Sequence, residues 1–109
     1  MQNEEHMIVV MGIIMHGGNA KSQAFSAIQL AKEGKFDEAQ MALNVANREL
    51  LEAHNVQTEM LTKEANGEHT EIDLYMVHAQ DHLMNAITFR DLAVEIISME
   101  KRLQALEGK

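Results

Sequence analysis

Cysteine, proline and tryptophan are absent from this sequence. With no cysteine there can be no disulfide framework, and nothing in the chain asks for an oxidising compartment. With no proline, a helix can run on uninterrupted wherever its neighbours favour it. Six glycines, one tyrosine and three phenylalanines leave few turn formers and few strand formers. Positive charge is scarce as well: nine Lys and Arg stand against seventeen Asp and Glu, a net charge of -8. Such a balance repels phosphate backbones and anionic lipid surfaces, which argues against nucleic acid as a partner. Long apolar runs are also missing. The stretch from Met7 to Met15 is too short to span a bilayer, and it follows Glu4 and Glu5 where a secretory signal would be positive. These absences together predict a cytoplasmic protein.

What is present is a chain of 109 residues with 46% apolar side chains, rich in Ala, Leu, Met, Glu and Gln. Its length predicts one domain over residues 1–109, and its composition predicts an all-α fold. The strong breaks are Gly17-Gly18, Gly34 and Asn66-Gly67, the last two suited to the positive φ that ends a helix. Three helices are expected. The first runs from an N-cap at Asn3 to Glu33, bent at Gly17-Gly18, with Met7, Val10, Met11, Ile14, Ala24, Ala27, Ile28 and Ala31 at helical spacing. The second spans Phe36 to Ala65, its seam made by Ala39, Leu43, Ala46, Leu50 and Ala53, then Met60 and Leu61. The third opens on a capping box at Thr70–Asp73 and continues to Leu106. Two short connections give an antiparallel up-down-up three-helix bundle.

The third helix carries more apolar residues than one core needs. Ile72, Met76, Ala79, Leu83, Ala86 and Ile87 form a stripe, and Leu74, Val77, Met84, Leu92 and Val94 widen it around the cylinder. Such a helix is normally buried on more than one side, which predicts a subunit interface along it. Most of the nine methionines are expected in core packing.

Inside that apolar helix lies Val77-His78-Ala79-Gln80-Asp81-His82-Leu83-Met84. At about 100° per residue, His82 lies about 40° to one side of His78 and Asp81 about 60° to the other, so the three share one patch. Two chemistries could use them. A neutral imidazole is a nucleophile that can attack phosphorus and form a phosphoramidate. The His-x-x-x-His spacing could instead hold zinc, with Asp81 or water completing the shell. His6, His16, His54 and His69 stand singly or near helix ends and carry no assigned role.

The string His78-Ala79-Gln80-Asp81-His82-Leu83-Met84 resembles the active-site signature of the lactose/cellobiose enzyme IIA family of sugar phosphotransferase systems. Gly18-Asn19-Ala20-Lys21-Ser22, Ala31-Lys32-Glu33-Gly34-Lys35-Phe36 and Glu52-Ala53-His54-Asn55-Val56-Gln57-Thr58 extend the resemblance over nearly the whole chain. The resemblance implies a homotrimer of three-helix bundles and a phosphorylated histidine at His78. It also implies an aspartate at Asp81 that meets its symmetry mates around a cation. Three carboxylates on an axis need such compensation, and a hard divalent ion such as Mg2+ suits oxygen ligands.

No phosphate-binding loop of the G-x-x-x-x-G-K-[ST] type occurs, so a phosphorylated protein donor is expected in place of ATP. The resemblance implies a relay: His78 takes phosphate from the histidine phosphocarrier protein and gives it to a cysteine of enzyme IIB. Contact with the membrane is then only indirect, through the permease. His82 and Gln80, by adjacency, are expected to orient the ring or bond the phosphoryl oxygens. Ala79 and Met11-Gly12-Ile13-Ile14 look more like the cellobiose or chitobiose branch than the lactose branch. The rival reading from another class is a metal-binding or structural oligomerisation bundle with no covalent intermediate.

Overall fold

The computed structural model describes the backbone of residues 2–108 and the side chains of residues 4–108. The described residues form three helices: α1 (Gln2–Lys32), α2 (Phe36–Ala65) and α3 (Leu74–Leu106). No strand occurs among the described residues. Helix α1 begins at Gln2, just ahead of the expected cap; the side chain of Asn3 lies outside the described residues. It continues without interruption through Gly17-Gly18.

Both connections are set by glycine. Gly34 has φ +80° and Gly67 φ +88°, a region that a side chain with a Cβ enters only under strain. At the first, Gly34 N–H donates to Ala31 O and Lys35 N–H to Leu30 O, both at 2.9 Å. At the second, Gly67 N–H donates to Glu64 O and Glu68 N–H to Lys63 O. These paired bonds are Schellman motifs, which satisfy carbonyls that a helix end would otherwise leave open. Ala31 O also accepts from the buried amide of Gln104 at 2.8 Å, so the end of α1 is tied to the end of α3.

The start of α3 differs from the expected box. Thr70 is not the cap; Asp73 is, its Oδ1 accepting from Met76 N–H at 2.8 Å. Thr70 instead gives its N–H to Glu64. Asp73 Oδ2 meets His6 Nε2 at 2.9 Å, which locks the first turns of α1 to the cap of α3. The Met76 N–H, and then His6, hold the Asp73 carboxyl below its usual range.

The core is made largely of alanine: Ala20, Ala24, Ala27 and Ala31 on α1 face Ala39, Ala42, Ala46 and Ala53 on α2 and Ala79, Ala86 and Ala93 on α3. Small side chains let the helices approach closely, and Val10, Ile13, Ile28, Leu43, Leu50, Met76, Leu83 and Ile97 fill the wider places. Helix α1 packs against both others, whereas α2 and α3 touch little. Along α1 and α3 the paired residues rise together (His6 with Asp73, Gly17 with His82, Ala31 with Gln104). Between α2 and α3 they run in opposite senses (Asn47 with Arg90, Gln57 with Gln80).

Because α2 barely covers α3, a long face of α3 stays open. Leu74, Val77, Met84, Leu92, Met99, Leu103 and Leu106 are each half exposed or more. This corrects the expectation that most methionines are core. Among the described ones only Met76 is buried, while Met11, Met15, Met41, Met84 and Met99 are more than half exposed. Met11, Leu61 and Ile72 likewise leave the expected seams, Ile72 because it precedes α3 altogether.

The cap gives a prediction. Asp73→Ala should lower the unfolding midpoint, and Asp73→Ser, which can still accept from Met76 N–H, should recover part of the loss. A carboxyl whose folded pKa is depressed stabilises above the ordinary carboxylate range and loses that effect as pH falls through the folded value. The gap between wild type and Asp73→Ala, read by thermal melts, should therefore close on acidification below about pH 4.

Candidate functional site

The signature segment lies in the first half of α3, on the side where that helix is not covered. Its apolar members anchor it: Ala79 and Leu83 are fully buried against the bundle, so the residues between them must point elsewhere. His78 and Asp81 are exposed, and His82 and Gln80 are intermediate.

The two imidazoles stand together. Their ring centroids are 6.1 Å apart and the planes are inclined by 27°, a loosely stacked pair. Among the described residues, His78 has no hydrogen-bond or ion-pair partner. Its ring nitrogens are therefore open to an incoming group. His82 is more enclosed. A Cβ added at Gly17 would stand 3.2 Å from His82 Cδ2, and one at Gly18 would stand 3.3 Å from His82 Nε2. The glycine pair of α1 thus forms a niche into which the His82 ring fits, and it holds that ring beside His78.

Sequence reasoning assigned Gly17-Gly18 to a bend and missed this niche. A paired glycine inside an otherwise unbroken helix, at the level of the histidines, was the available signal. It also missed the tether beside the niche: His16 Nδ1 lies 2.5 Å from Glu49 Oε2, joining α1 to α2 next to Gly17.

Gln80 is not brought to the histidines. It sits about 200° around the helix from His78, and its amide is engaged elsewhere. Gln80 Oε1 accepts from Gln57 Nε2 at 2.7 Å, and Gln80 Nε2 lies 3.5 Å from Met76 Sδ. The expectation that it orients the ring or meets phosphoryl oxygens is corrected accordingly: its geometry links α3 to α2.

Asp81 has no hydrogen-bond or ion-pair partner among the described residues. Within 60° of it around α3 lie Leu74, Val77, Met84, Leu92 and Met99, all half exposed or more. A lone carboxylate in an open apolar strip makes no metal shell by itself. Three related by a three-fold axis would supply three hard oxygens, which fits a divalent ion of the magnesium type completed by water.

Comparison with known proteins agrees with this geometry. Residues 8–101 match the family model described as the lactose/cellobiose-specific IIA subunit of the phosphotransferase system. The galactose-specific EIIA component of Lactococcus lactis is 64% identical over 107 residues, covering 98% of this chain and 92% of that protein. A cellobiose-specific enzyme IIA from Bacillus anthracis superposes with a TM-score of 0.89 at 47% identity, covering 92% of each chain. The IIA subunit of the Escherichia coli N,N'-diacetylchitobiose branch, solved in complex with HPr, gives a TM-score of 0.79 at 36% identity, with 91% of this chain and 96% of that chain covered.

The niche is open to test. Replacing both Gly17 and Gly18 with Ala should leave the helix as stable or more so, since each exchange favours helix by up to about 1 kcal/mol. The added methyls must nevertheless push the His82 ring by a few tenths of an ångström. In NMR spectra the His82 imidazole signals should shift while those of His54 stay; unmoved His82 signals would show that the glycines do not seat the ring.

Proposed function

This chain belongs to the lactose/cellobiose-specific IIA family of the sugar phosphotransferase system, and from that premise we propose that it carries a phosphoryl group on His78. The observation that carries the reading is the state of the His78 ring: exposed, without a polar partner and seated beside a second imidazole.

The donor is the histidine phosphocarrier protein, a partner supported by the solved complex of the chitobiose relative with HPr. The neutral His78 Nε2 attacks the phosphorus of the donor's phosphohistidine. One N–P bond forms as the other breaks, and the donor imidazole leaves with the electron pair. The phosphoryl group then passes to a cysteine thiolate of enzyme IIB: an S–P bond forms as the His78 N–P bond breaks, and the electron pair of that bond returns to Nε2. His82, held in the glycine niche, lies beside the charge that develops on the phosphoryl oxygens and stabilises it when protonated.

The assembly is a homotrimer of up-down-up bundles. The open face of α3 supports it: burying seven half-exposed side chains recovers on the order of 5–10 kcal/mol per chain. Asp81 would then hold a divalent cation, Mg2+ by ligand type, on the three-fold axis. The ion's charge offsets the repulsion among the carboxylates. His78, about 60° around from Asp81, would face a groove open to solvent. The chain acts in the cytoplasm and meets the membrane only through the permease. No helix among the described residues is long and apolar enough to cross a membrane. The sugar is of the cellobiose or chitobiose kind; the carrier need not contact it, and relatives named for galactose, cellobiose and chitobiose all resemble this chain.

Incubated with the phosphorylated phosphocarrier, His78→Ala should fold and assemble yet accept no phosphate. His82→Ala should accept it more slowly, by roughly 100- to 1000-fold, a range set by one stabilising donor. Phosphate retained in His78→Ala would move the carrier elsewhere, and a complete block in His82→Ala would reverse the two roles.

For the axis, chelation at neutral pH should weaken the trimer, and Asp81→Leu should give a metal-independent trimer at least as stable, because apolar packing replaces a clustered charge. Sedimentation with and without chelator reads both. A wild type that stays monomeric with metal, or an Asp81→Leu that dissociates, would rule out the axial carboxylates.

A further inference from the structure

At the start of α1 and α3, about one and a half helical turns before His78, a second group of ligand-bearing side chains converges. His6, Glu71 and Asp73 each offer one ligand atom, and all three atoms lie within 4.8 Å of one another. The His6 side chain is only 10% exposed, with Nε2 turned toward Asp73 Oδ2. Asp73 commits its other oxygen to the cap of α3. Glu71 is exposed and makes no hydrogen bond or ion pair among the described residues. Two carboxylates against one imidazole leave the cluster net negative whether or not the imidazole is protonated. Lys63 lines the same cavity, but its ammonium pairs with Glu59 at 3.6 Å; Glu5 adds another negative charge to the rim.

We propose that His6, Glu71 and Asp73 form a binding site for a divalent transition metal of the zinc type, completed by water or by His69, which lines the same cavity. A four-coordinate zinc holds nitrogen and oxygen ligands at about 2.0–2.2 Å, so its ligands stand about 3.3 Å apart. The 2.9 Å separation of His6 Nε2 and Asp73 Oδ2 needs to open by only a few tenths of an ångström. The exposed Glu71 carboxylate has the freedom to swing in. His69 must first leave its contact with Glu64. On binding, His6 offers the Nε2 lone pair to the metal, and any proton on that nitrogen goes to water. The imidazole ligand favours zinc over magnesium or calcium, which prefer oxygen alone. The ion would clamp the first turns of α1 to the cap of α3, a role independent of phosphoryl transfer.

The test uses the full chain carrying His78→Ala, Asp81→Leu and His82→Ala, so that neither the histidine pair on α3 nor the proposed axial carboxylates can compete for metal. Zinc chloride is titrated by calorimetry, and bound zinc is counted by elemental mass spectrometry after dialysis. The expected result is one zinc per chain, with binding weakened at least tenfold by His6→Ala and by Asp73→Ser, and unchanged by His54→Ala. Asp73→Ser keeps a side-chain cap on α3, and circular dichroism checks that each variant remains helical. The proposal is overturned if no saturable site is found, if the count is one zinc per three chains, or if His6→Ala binds as tightly as its parent.

Discussion

The uneven covering of α3 is the constraint on which the rest of this structure depends. Helix α1 lies against both partners, but α2 and α3 scarcely meet, so α3 is packed on one side and open on another. Leucines, methionines and a valine line the open side, and water along such a strip is costly. The signature segment sits within this strip. Its buried side, Ala79 and Leu83, fixes the helix on the bundle; its open side carries His78 and Asp81. One helix therefore serves three ends at once: core, proposed subunit contact and proposed phosphoryl acceptor.

The paired imidazoles follow from the same arrangement. An exposed histidine that carries phosphate must be reachable by two different proteins, so it cannot be enclosed, yet an unsupported ring would waste entropy at each transfer. The glycines at 17 and 18 resolve this by enclosing the neighbour instead. His82 is seated against α1, and His78 keeps its nitrogens free while stacking loosely on a ring that is held. The acidic surface of the chain, net -8, suits the proposed donor only if that partner brings positive charge to the contact.

Much of the fold was legible in the sequence because its punctuation is sparse. Gly34 and Asn66-Gly67 are the turn signals that matter, and α2 occupies Phe36–Ala65 as read from them. The start of α3 was misjudged by its cap, since Thr70 and Asp73 both suit that place and only the backbone course selects Asp73. His78, His82 and Asp81 were brought to one patch by helical spacing alone. The same arithmetic puts Gln80 about 200° away, so its exclusion was readable, and adjacency in sequence was the poorer guide. The methionines were not readable: periodicity tells which face is apolar, not whether the chain itself covers it. Gln104 on Ala31 O and His82 against Gly17 join residues more than sixty positions apart and leave no local trace.

The central claim is that one nitrogen of His78 holds the phosphoryl group. The most direct measurement is to phosphorylate the wild-type chain with the phosphorylated phosphocarrier, digest it at alkaline pH and locate the label by tandem mass spectrometry. The account predicts a single modified residue, His78, whose phosphate survives base and is lost in acid. A label on His82 or any other residue, or one that survives acid, would contradict it.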